Sequence, residues 1–100
     1  MTDDARQADD KTVRVRISGR VQGVWFRGWT AQTAEALQLR GWVRNRRDGT
    51  VEALFSGPPE MVDQMLALCH QGPTHADVER IDISREETYD GEGFQKLPTI

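Results

Sequence analysis

The chain has 100 residues, of which 37% are hydrophobic and 29% are charged. This length suits one domain with a single core, and the composition differs from that of disordered or repetitive chains. No apolar run is long enough to span a membrane. The first ten residues carry four Asp, where a signal peptide would need a basic and then an apolar stretch. We therefore expect one domain, without membrane insertion or a cleaved signal.

The chain has few residues suited to disulfide or metal chemistry. Its single cysteine, Cys69, cannot form an internal disulfide, and His70 and His75 do not complete a zinc-binding set. Cys69 also falls on an apolar stripe, which favours a small buried side chain over a nucleophile. These observations predict a cytoplasmic protein with no metal and no cofactor.

The net charge of −3 hides an uneven distribution. Residues 11–50 hold nine Lys or Arg against two acidic residues, whereas residues 51–100 hold three against ten. One interpretation is that the basic half binds an anionic partner, either a nucleic acid or a small phosphate compound. The other is that strands from both halves lie in one sheet and pair their charges across it.

Residues 1–11 are polar, acidic and aperiodic, which predicts a disordered tail before a domain over residues 12–100. Apolar periodicity and turn residues then predict strand, helix, strand, strand, helix, strand and a short last strand. The strands are expected near residues 12–18, 42–47, 50–56, 76–86 and 94–97, with one helix from residue 26 and another entering at residues 57–60. This order is typical of the α+β ferredoxin-like fold, a split βαβ arrangement in which an antiparallel sheet carries both helices on one face.

Two local details of the strands can also be predicted. Asp48-Gly49 favours a two-residue hairpin turn in which both residues have positive φ. In the fourth strand, the apolar alternation breaks between Val78 and Ile81, which indicates a bulge or a later start of the strand.

The loop between the first strand and the first helix is the first candidate binding site. Glycines at both ends of Gly19–Gly23 permit either a plain tight turn or a nest of amides around a phosphate. Arg27 follows in the first helical turn, from which its guanidinium can contact the anion with two parallel hydrogen bonds. Arg20 lies in the same loop and either joins that contact or projects into solvent.

Asn45 is the second candidate. It lies in the second strand, on the face opposite Trp42 and Arg44, where a polar amide is against strand propensity. The amide either satisfies a buried backbone group or holds a water molecule.

Other conspicuous side chains have simpler interpretations. The three tryptophans are expected to pack in or over the core, with stacking on a substrate as the alternative for one of them. Asp48 and Glu52 are interpreted as turn and surface residues. The tryptophans are Trp25, Trp29 and Trp42.

Two segments carry a family resemblance. Residues 19–27 read G-R-V-Q-G-V-W-F-R, and residues 41–52 read G-W-V-R-N-R-R-D-G-T-V-E. They resemble the acylphosphatase signatures G-x-V-Q-G-V-x-F-R and G-W-V-x-N-x-x-D-G-x-V-E at every fixed position, within a similarity that extends from about Val13 to Ile83. The resemblance implies a ferredoxin-like fold and metal-independent hydrolysis of carboxyl phosphates to a carboxylate and inorganic phosphate.

The resemblance also implies which residues do this. Arg27 and the loop before it bind the phosphate, and Asn45 positions the attacking water. The substrate is a small-molecule acyl phosphate, and we expect a monomer without nucleic-acid or membrane partners. The loop residues are Arg20, Val21, Gln22, Gly23, Val24, Trp25 and Phe26.

The sequence departs from the family pattern at three places. Gln38 stands where the family commonly has glycine, which alters the helix exit. Gly28 replaces a longer polar residue and is expected to loosen the first helical turn. Pro98 lacks the N–H that sheet pairing needs, so the last strand should end early.

Two other functions fit the same order of elements. An RNA-recognition module shares the topology, but it needs exposed aromatic residues on its central strands, and the first strand here has none. A catalytically silent domain that only binds a carboxyl phosphate or a protein is the other alternative.

Overall fold

The computed structural model describes residues 10–100. Five strands and two helices follow in the expected order: β1 (Lys11–Arg20), α1 (Phe26–Ala36), β2 (Arg40–Asn45), β3 (Val51–Gly57), α2 (Pro59–Cys69), β4 (Asp77–Glu86) and β5 (Phe94–Lys96). Residues 1–9 of the expected tail lie outside the described part. Asp10 forms an ion pair with Arg40 at 3.1 Å, and Lys11 already belongs to β1. Neither described helix is long and apolar enough to cross a membrane.

The strands form one sheet in the order β4-β1-β3-β2-β5. The first four are antiparallel to their neighbours, whereas β5 pairs in parallel with β2, which makes the sheet mixed. Helix α1 packs over β2 and β5, and α2 packs over β1 and β3. The ferredoxin-like fold expected from the element order is therefore confirmed, with one parallel edge strand added.

The core lies between the two helices and one face of the sheet. Because side chains alternate along a strand, one set of β1 and β3 residues is buried and the set between them faces away. Thus Val15 is buried against the helices, whereas Arg14 and Glu52 lie on the opposite, open face of the sheet. The strands and helices contribute to the core Val13, Val15, Ile17, Val43, Val51, Ala53, Phe55, Phe26, Ala34, Val62, Met65 and Cys69.

Helix α1 ends in a Schellman motif at Gln38. The Gln38 amide donates to the Glu35 carbonyl at 2.9 Å, and the Leu39 amide donates to the Ala34 carbonyl at 2.9 Å. This geometry places Gln38 in the left-handed region with φ 59°, the position at which helices prefer glycine. Glutamine in place of glycine therefore adds backbone strain at the end of α1, but both hydrogen bonds of the Schellman motif still form.

The β2–β3 hairpin differs from the two-residue turn expected for Asp48-Gly49. The Arg46 amide donates to the Thr50 carbonyl, and the Gly49 amide donates to the Arg46 carbonyl, so three residues form the loop. Only Gly49 has positive φ there, at 94°, whereas Asp48 does not. The expectation was wrong because a three-residue loop needs left-handed geometry only at its last residue. Asp48 instead accepts bonds from the Thr50 amide and hydroxyl at 3.0 and 2.7 Å.

Strand β4 contains the bulge that its sequence indicated. Ser18 pairs with Arg80 and Gly19 pairs with Val78, which leaves Glu79 as the extra residue. Beyond the bulge the pairing continues to Arg20, so Gly19 and Arg20 belong to β1. The loop that follows is therefore shorter than expected and covers residues 21–25.

Candidate active site

A pocket of about 420 Å³ opens where three separate segments meet. The first is the β1–α1 loop with the start of α1, the second is the end of β2, and the third is the end of β5 with the two residues that follow it. Its lining includes both residues expected to carry the chemistry, Arg27 and Asn45, although they are far apart in sequence. The lining residues are Val21, Gln22, Gly23, Trp25, Phe26, Arg27, Gly28, Asn45, Lys96, Leu97 and Pro98.

The start of α1 presents unpaired backbone donors to this pocket. Trp25 is the N-cap in the left-handed region, at φ 69°, and makes no side-chain capping bond. The first helical hydrogen bond runs from the Trp29 amide to the Trp25 carbonyl at 3.0 Å, so the amides of Phe26, Arg27 and Gly28 have no partner within the helix. Gly23, with φ 76°, provides the second left-handed residue of the loop. Such an arrangement favours an anion.

Arg27 is half-buried at the same helix end and lines the pocket. Within residues 10–100 its guanidinium makes no ion pair. Six of the nine basic residues in 11–50 are paired with carboxylates, which supports charge pairing as the main reason for the basic half of the sequence. The paired residues are Lys11, Arg14, Arg16, Arg40, Arg44 and Arg46.

Asn45 is the last residue of β2 and is held from both sides. It pairs with Val51 of β3, and its carbonyl accepts a bond from the Ile100 amide at 3.1 Å. Strand alternation places its side chain on the same face as Val43, which is the face that carries the helices. A rigid strand end therefore directs this amide into the pocket that Arg27 lines.

Gln22 ties the loop to the hairpin. Its side-chain amide donates to the Arg46 carbonyl at 2.7 Å and to the Thr50 carbonyl at 2.8 Å. These carbonyls belong to residues directly outside β2 and β3, next to Asn45 and Val51. The side chain thus fixes the loop relative to Asn45, and it is the backbone of Gln22 that remains available to a ligand.

Of the other loop residues expected to bind the phosphate, some line the pocket and some do not. Val21 is buried, and Phe26 is a core residue that also reaches the pocket wall. Arg20 is exposed at the end of β1 and is absent from the lining, and Val24 packs against the core instead.

The segment after β5 was missed by the sequence analysis. The Leu97 amide donates to the Val43 carbonyl at 2.9 Å, so the chain continues beside β2 after the strand ends at Lys96. The early end expected from Pro98 is confirmed, and Pro98 itself forms part of the pocket wall. Lys96 adds a cation to that wall. No local pattern marks these residues, because their place depends on the parallel pairing of β5 with β2.

The tryptophans have three different environments. Trp29 packs edge-on against Phe26, with ring centroids 5.4 Å apart. Trp42 lies on the open face beneath the Arg44 guanidinium, which is 4.7 Å from the ring centroid. Trp25 is 58% exposed, so the expectation that it packs in or over the core is wrong. Its side chain lines the pocket that Arg27 and Asn45 also line.

Glu52 was expected at the surface, and this is also wrong, because it is only 3% exposed. On the open face its carboxylate accepts bonds from Arg44 at 3.0 Å and Arg46 at 2.9 Å, with Arg14 at 3.5 Å. Burial alone would raise the pKa of Glu52, but the hydrogen bonds and charges of Arg44 and Arg46 outweigh burial and hold it below its usual value.

Cys69 is fully buried in the core, and its burial raises the pKa of the thiol to about 12. A thiol in this state is a poor nucleophile. Among residues 10–100, no three His, Cys, Asp or Glu side chains are grouped closely enough to hold a metal ion. The polar groups of the described pocket lining are backbone amides, one guanidinium, one ammonium and two carboxamides, of which the Gln22 carboxamide already donates to the Arg46 and Thr50 carbonyls.

Comparisons with known proteins agree with this geometry. The acylphosphatase family model matches residues 13–96. An acylphosphatase from Rhodospirillum rubrum is 53% identical over 90% of this chain and 99% of its own length. Among solved structures, an acylphosphatase from Coxiella burnetii is 31% identical with a TM-score of 0.86, covering 89% of this chain and 94% of that one. One from Bacillus subtilis is 32% identical with a TM-score of 0.84, covering 87% and 98%. The chain belongs to the acylphosphatase family.

Proposed function

We propose that this protein hydrolyses acyl phosphates, with the phosphate bound by Arg27 and by the loop residues 21–23, 25 and 26, which line the pocket, and the attacking water positioned by Asn45. The observation that carries the proposal is the shared pocket, in which a guanidinium without a carboxylate partner among residues 10–100 and a strand-held amide line the same cavity. Arg20 has no assigned contact in this proposal, because it lies outside the lining.

The groups in the pocket favour activated substrates. A departing carboxylate is a weak base, so cleavage of an acyl phosphate needs little help from a general acid. Phosphoryl transfer through a loose transition state mainly needs positioning and stabilisation of charge on the equatorial oxygens. Helix-end amides and Arg27 provide both.

Asn45 suits the water. In-line attack needs a group opposite the departing carboxylate that both donates and accepts hydrogen bonds, and a carboxamide does both. Because the pocket lining holds no carboxylate or imidazole, a phosphate oxygen of the substrate is the acceptor that we assign to the water proton.

Neither alternative function gains support from the described residues. The open face carries Trp42 covered by Arg44, and its arginines Arg14, Arg44 and Arg46 are engaged by Glu52, so few free cations remain there for RNA. A silent domain would not need a strand-held carboxamide in the same pocket as a guanidinium that has no carboxylate partner among residues 10–100. Within the proposal the enzyme is a cytoplasmic monomer without nucleic-acid partners, which size-exclusion chromatography and cell fractionation test.

The proposal is tested by incubating the purified protein with acetyl phosphate and with an alkyl phosphate, each with and without a chelator. We expect release of inorganic phosphate from acetyl phosphate in both conditions and almost none from the alkyl phosphate, because the described pocket lining holds no carboxyl or imidazole group to protonate an alkoxide leaving group. Loss of acetyl phosphate turnover in the chelator would contradict metal independence. Binding of phosphate without turnover would instead support the silent domain.

A further inference from the structure

Trp25 is an apolar side chain in an unusual place. Among residues 10–100 it is the most exposed of the large hydrophobic residues, at 58%, and it lines the pocket. An indole left in water forgoes the stabilisation that burial gives, and this indole lines the same pocket as the apolar side chains of Leu97 and Pro98. Its backbone lies in the left-handed region at φ 69°, at the N-cap of α1.

The indole rests on Gly28. A Cβ placed on Gly28 would be 2.2 Å from Nε1 and 2.3 Å from Cε2 of Trp25, far closer than real carbon atoms approach. Gly28 therefore leaves the space that the ring occupies on the first turn of α1. This contact supports one side of the ring, while more than half of the side chain stays exposed.

The pocket around this ring has two chemically different parts. Arg27 and Asn45 form the polar part that the proposed function uses, and the helix-end amides lie beside them. Trp25, Leu97 and Pro98 supply apolar surface in the same cavity of about 420 Å³, which is within the usual range for pockets that enclose small organic ligands. A charged phosphoryl group does not gain binding energy from these apolar side chains, so they are available to another part of the substrate.

We propose that Trp25, supported by Gly28, is the contact surface for the acyl group and makes the enzyme prefer flat, apolar acyl groups such as aroyl over acetyl. The inference rests on the proposed function, because it assigns the other end of the same substrate. An aromatic acyl group stacks on the open side of the indole, while its phosphate lies at the helix end. Such a contact is expected to change selectivity roughly 2- to 10-fold.

The test compares kcat/KM for benzoyl phosphate and acetyl phosphate in the wild type, Trp25→Ala, Trp25→Phe and Gly28→Ala. We expect the benzoyl-to-acetyl ratio to fall by roughly 2- to 10-fold in Trp25→Ala. Trp25→Phe should retain most of the ratio. Gly28→Ala should lower it, because the new methyl group displaces the indole.

Trp42→Ala is the matched control, since it removes the same side chain from the open face of the sheet. It should leave the ratio unchanged. Inhibition by inorganic phosphate should be similar in the wild type and in Trp42→Ala, and circular dichroism should show that all five proteins are folded.

The outcomes separate the two proposals. If the wild type hydrolyses both substrates and Trp25→Ala changes both kcat/KM values equally, the acyl-contact role is wrong and the proposed function stands. An equal fall in the ratio for Trp42→Ala would also overturn the role, because the effect would not be local. If the wild type hydrolyses neither substrate, the proposed function fails and this inference fails with it.

Discussion

The two faces of the sheet use arginine in opposite ways. On the open face, Arg14, Arg44 and Arg46 surround the buried carboxylate of Glu52. All three guanidinium groups form ion pairs with this one carboxylate. On the helix face, Arg27 lines the pocket and has no carboxylate partner within residues 10–100. All four arginines come from the same basic half of the sequence.

This difference teaches that charge bias along a chain does not locate an anion site. Arg27 and Arg44 both belong to the basic half of the sequence. Arg44 is neutralised because β3 places Glu52 beside it, whereas Arg27 lies away from that strand's carboxylate. Substitutions on the two faces should therefore have different effects. Those on the helix face should lower activity, and those on the open face should lower the free energy of unfolding.

The largest effect is expected for Arg27. Arg27→Ala should lower kcat/KM for acetyl phosphate on the order of 100- to 1,000-fold, because it removes the main charge beside the transferring phosphoryl group. Arg27→Lys should recover little, since an ammonium cannot reproduce the planar pair of donors. Steady-state kinetics measures both values.

The matched control is Arg44→Ala on the open face. It should retain most of the activity and lower the free energy of unfolding, because it removes a partner of Glu52. Equal losses of activity in the Arg27 and Arg44 variants, with both proteins folded, would break the comparison between the faces.

A medium effect is expected for Glu52. Glu52→Gln should lower the free energy of unfolding at pH 7 by roughly 1 to 2 kcal/mol, a value below that of fully buried pairs because the arginines are partly exposed. The pKa of Glu52 is lowered in the folded state, so its charge stabilises the fold at pH values above its ordinary value of 4.5. That contribution is lost as the pH falls through the folded pKa. The difference between wild type and variant should therefore shrink below about pH 4.5 in urea unfolding curves.

Asp82→Asn provides the control for this prediction. Asp82 pairs with Arg80 at 3.0 Å, and both side chains are exposed. Its replacement should change the free energy of unfolding by less than about 0.5 kcal/mol. A difference between wild type and Glu52→Gln that stays constant down to acid pH would contradict the role of the Glu52 charge.

The smallest effect is expected at the exit of α1. Gln38→Gly should raise the free energy of unfolding by roughly 0.5 to 1 kcal/mol, because Gln38 has φ 59° and glycine adopts this region without steric cost. Ala36→Gly, at the last residue of the helix, should lower it by a similar amount. Thermal or urea unfolding measures both. A loss of stability in both variants would show that the left-handed Gln38 is not strained.

Much of the fold follows from local sequence signals. Alternation in β1, the periodicity of the helices and the broken parity at Val78 each reflect interactions between near neighbours, and the structure confirms them. The hairpin loop was missed by one residue, because two- and three-residue loops both suit Asp48-Gly49. Glu52 was misplaced because its burial depends on three arginines, Arg14 of β1, Arg44 of β2 and Arg46 directly after β2.

The site was only partly accessible from sequence. The two signature segments single out Arg27 and Asn45, and the structure places both at one pocket. Lys96, Leu97 and Pro98 could not be found in this way, because they reach the pocket only through the pairing of β5 with β2. The exposure of Trp25 was also not predictable, because tryptophan is usually largely buried and rarely adopts the left-handed backbone found here.

The central claim is that Arg27 binds the phosphate and Asn45 positions the water, and the inhibition constant of inorganic phosphate tests it most directly. It should be measured in the wild type, Arg27→Ala and Asn45→Ala, beside kcat for acetyl phosphate. We expect Asn45→Ala to lower kcat on the order of 100-fold with an unchanged inhibition constant, and Arg27→Ala to weaken phosphate binding strongly. If Asn45→Ala, still folded by circular dichroism, weakened phosphate binding as much as Arg27→Ala, Asn45 would belong to the phosphate site and the assigned division of roles would be wrong.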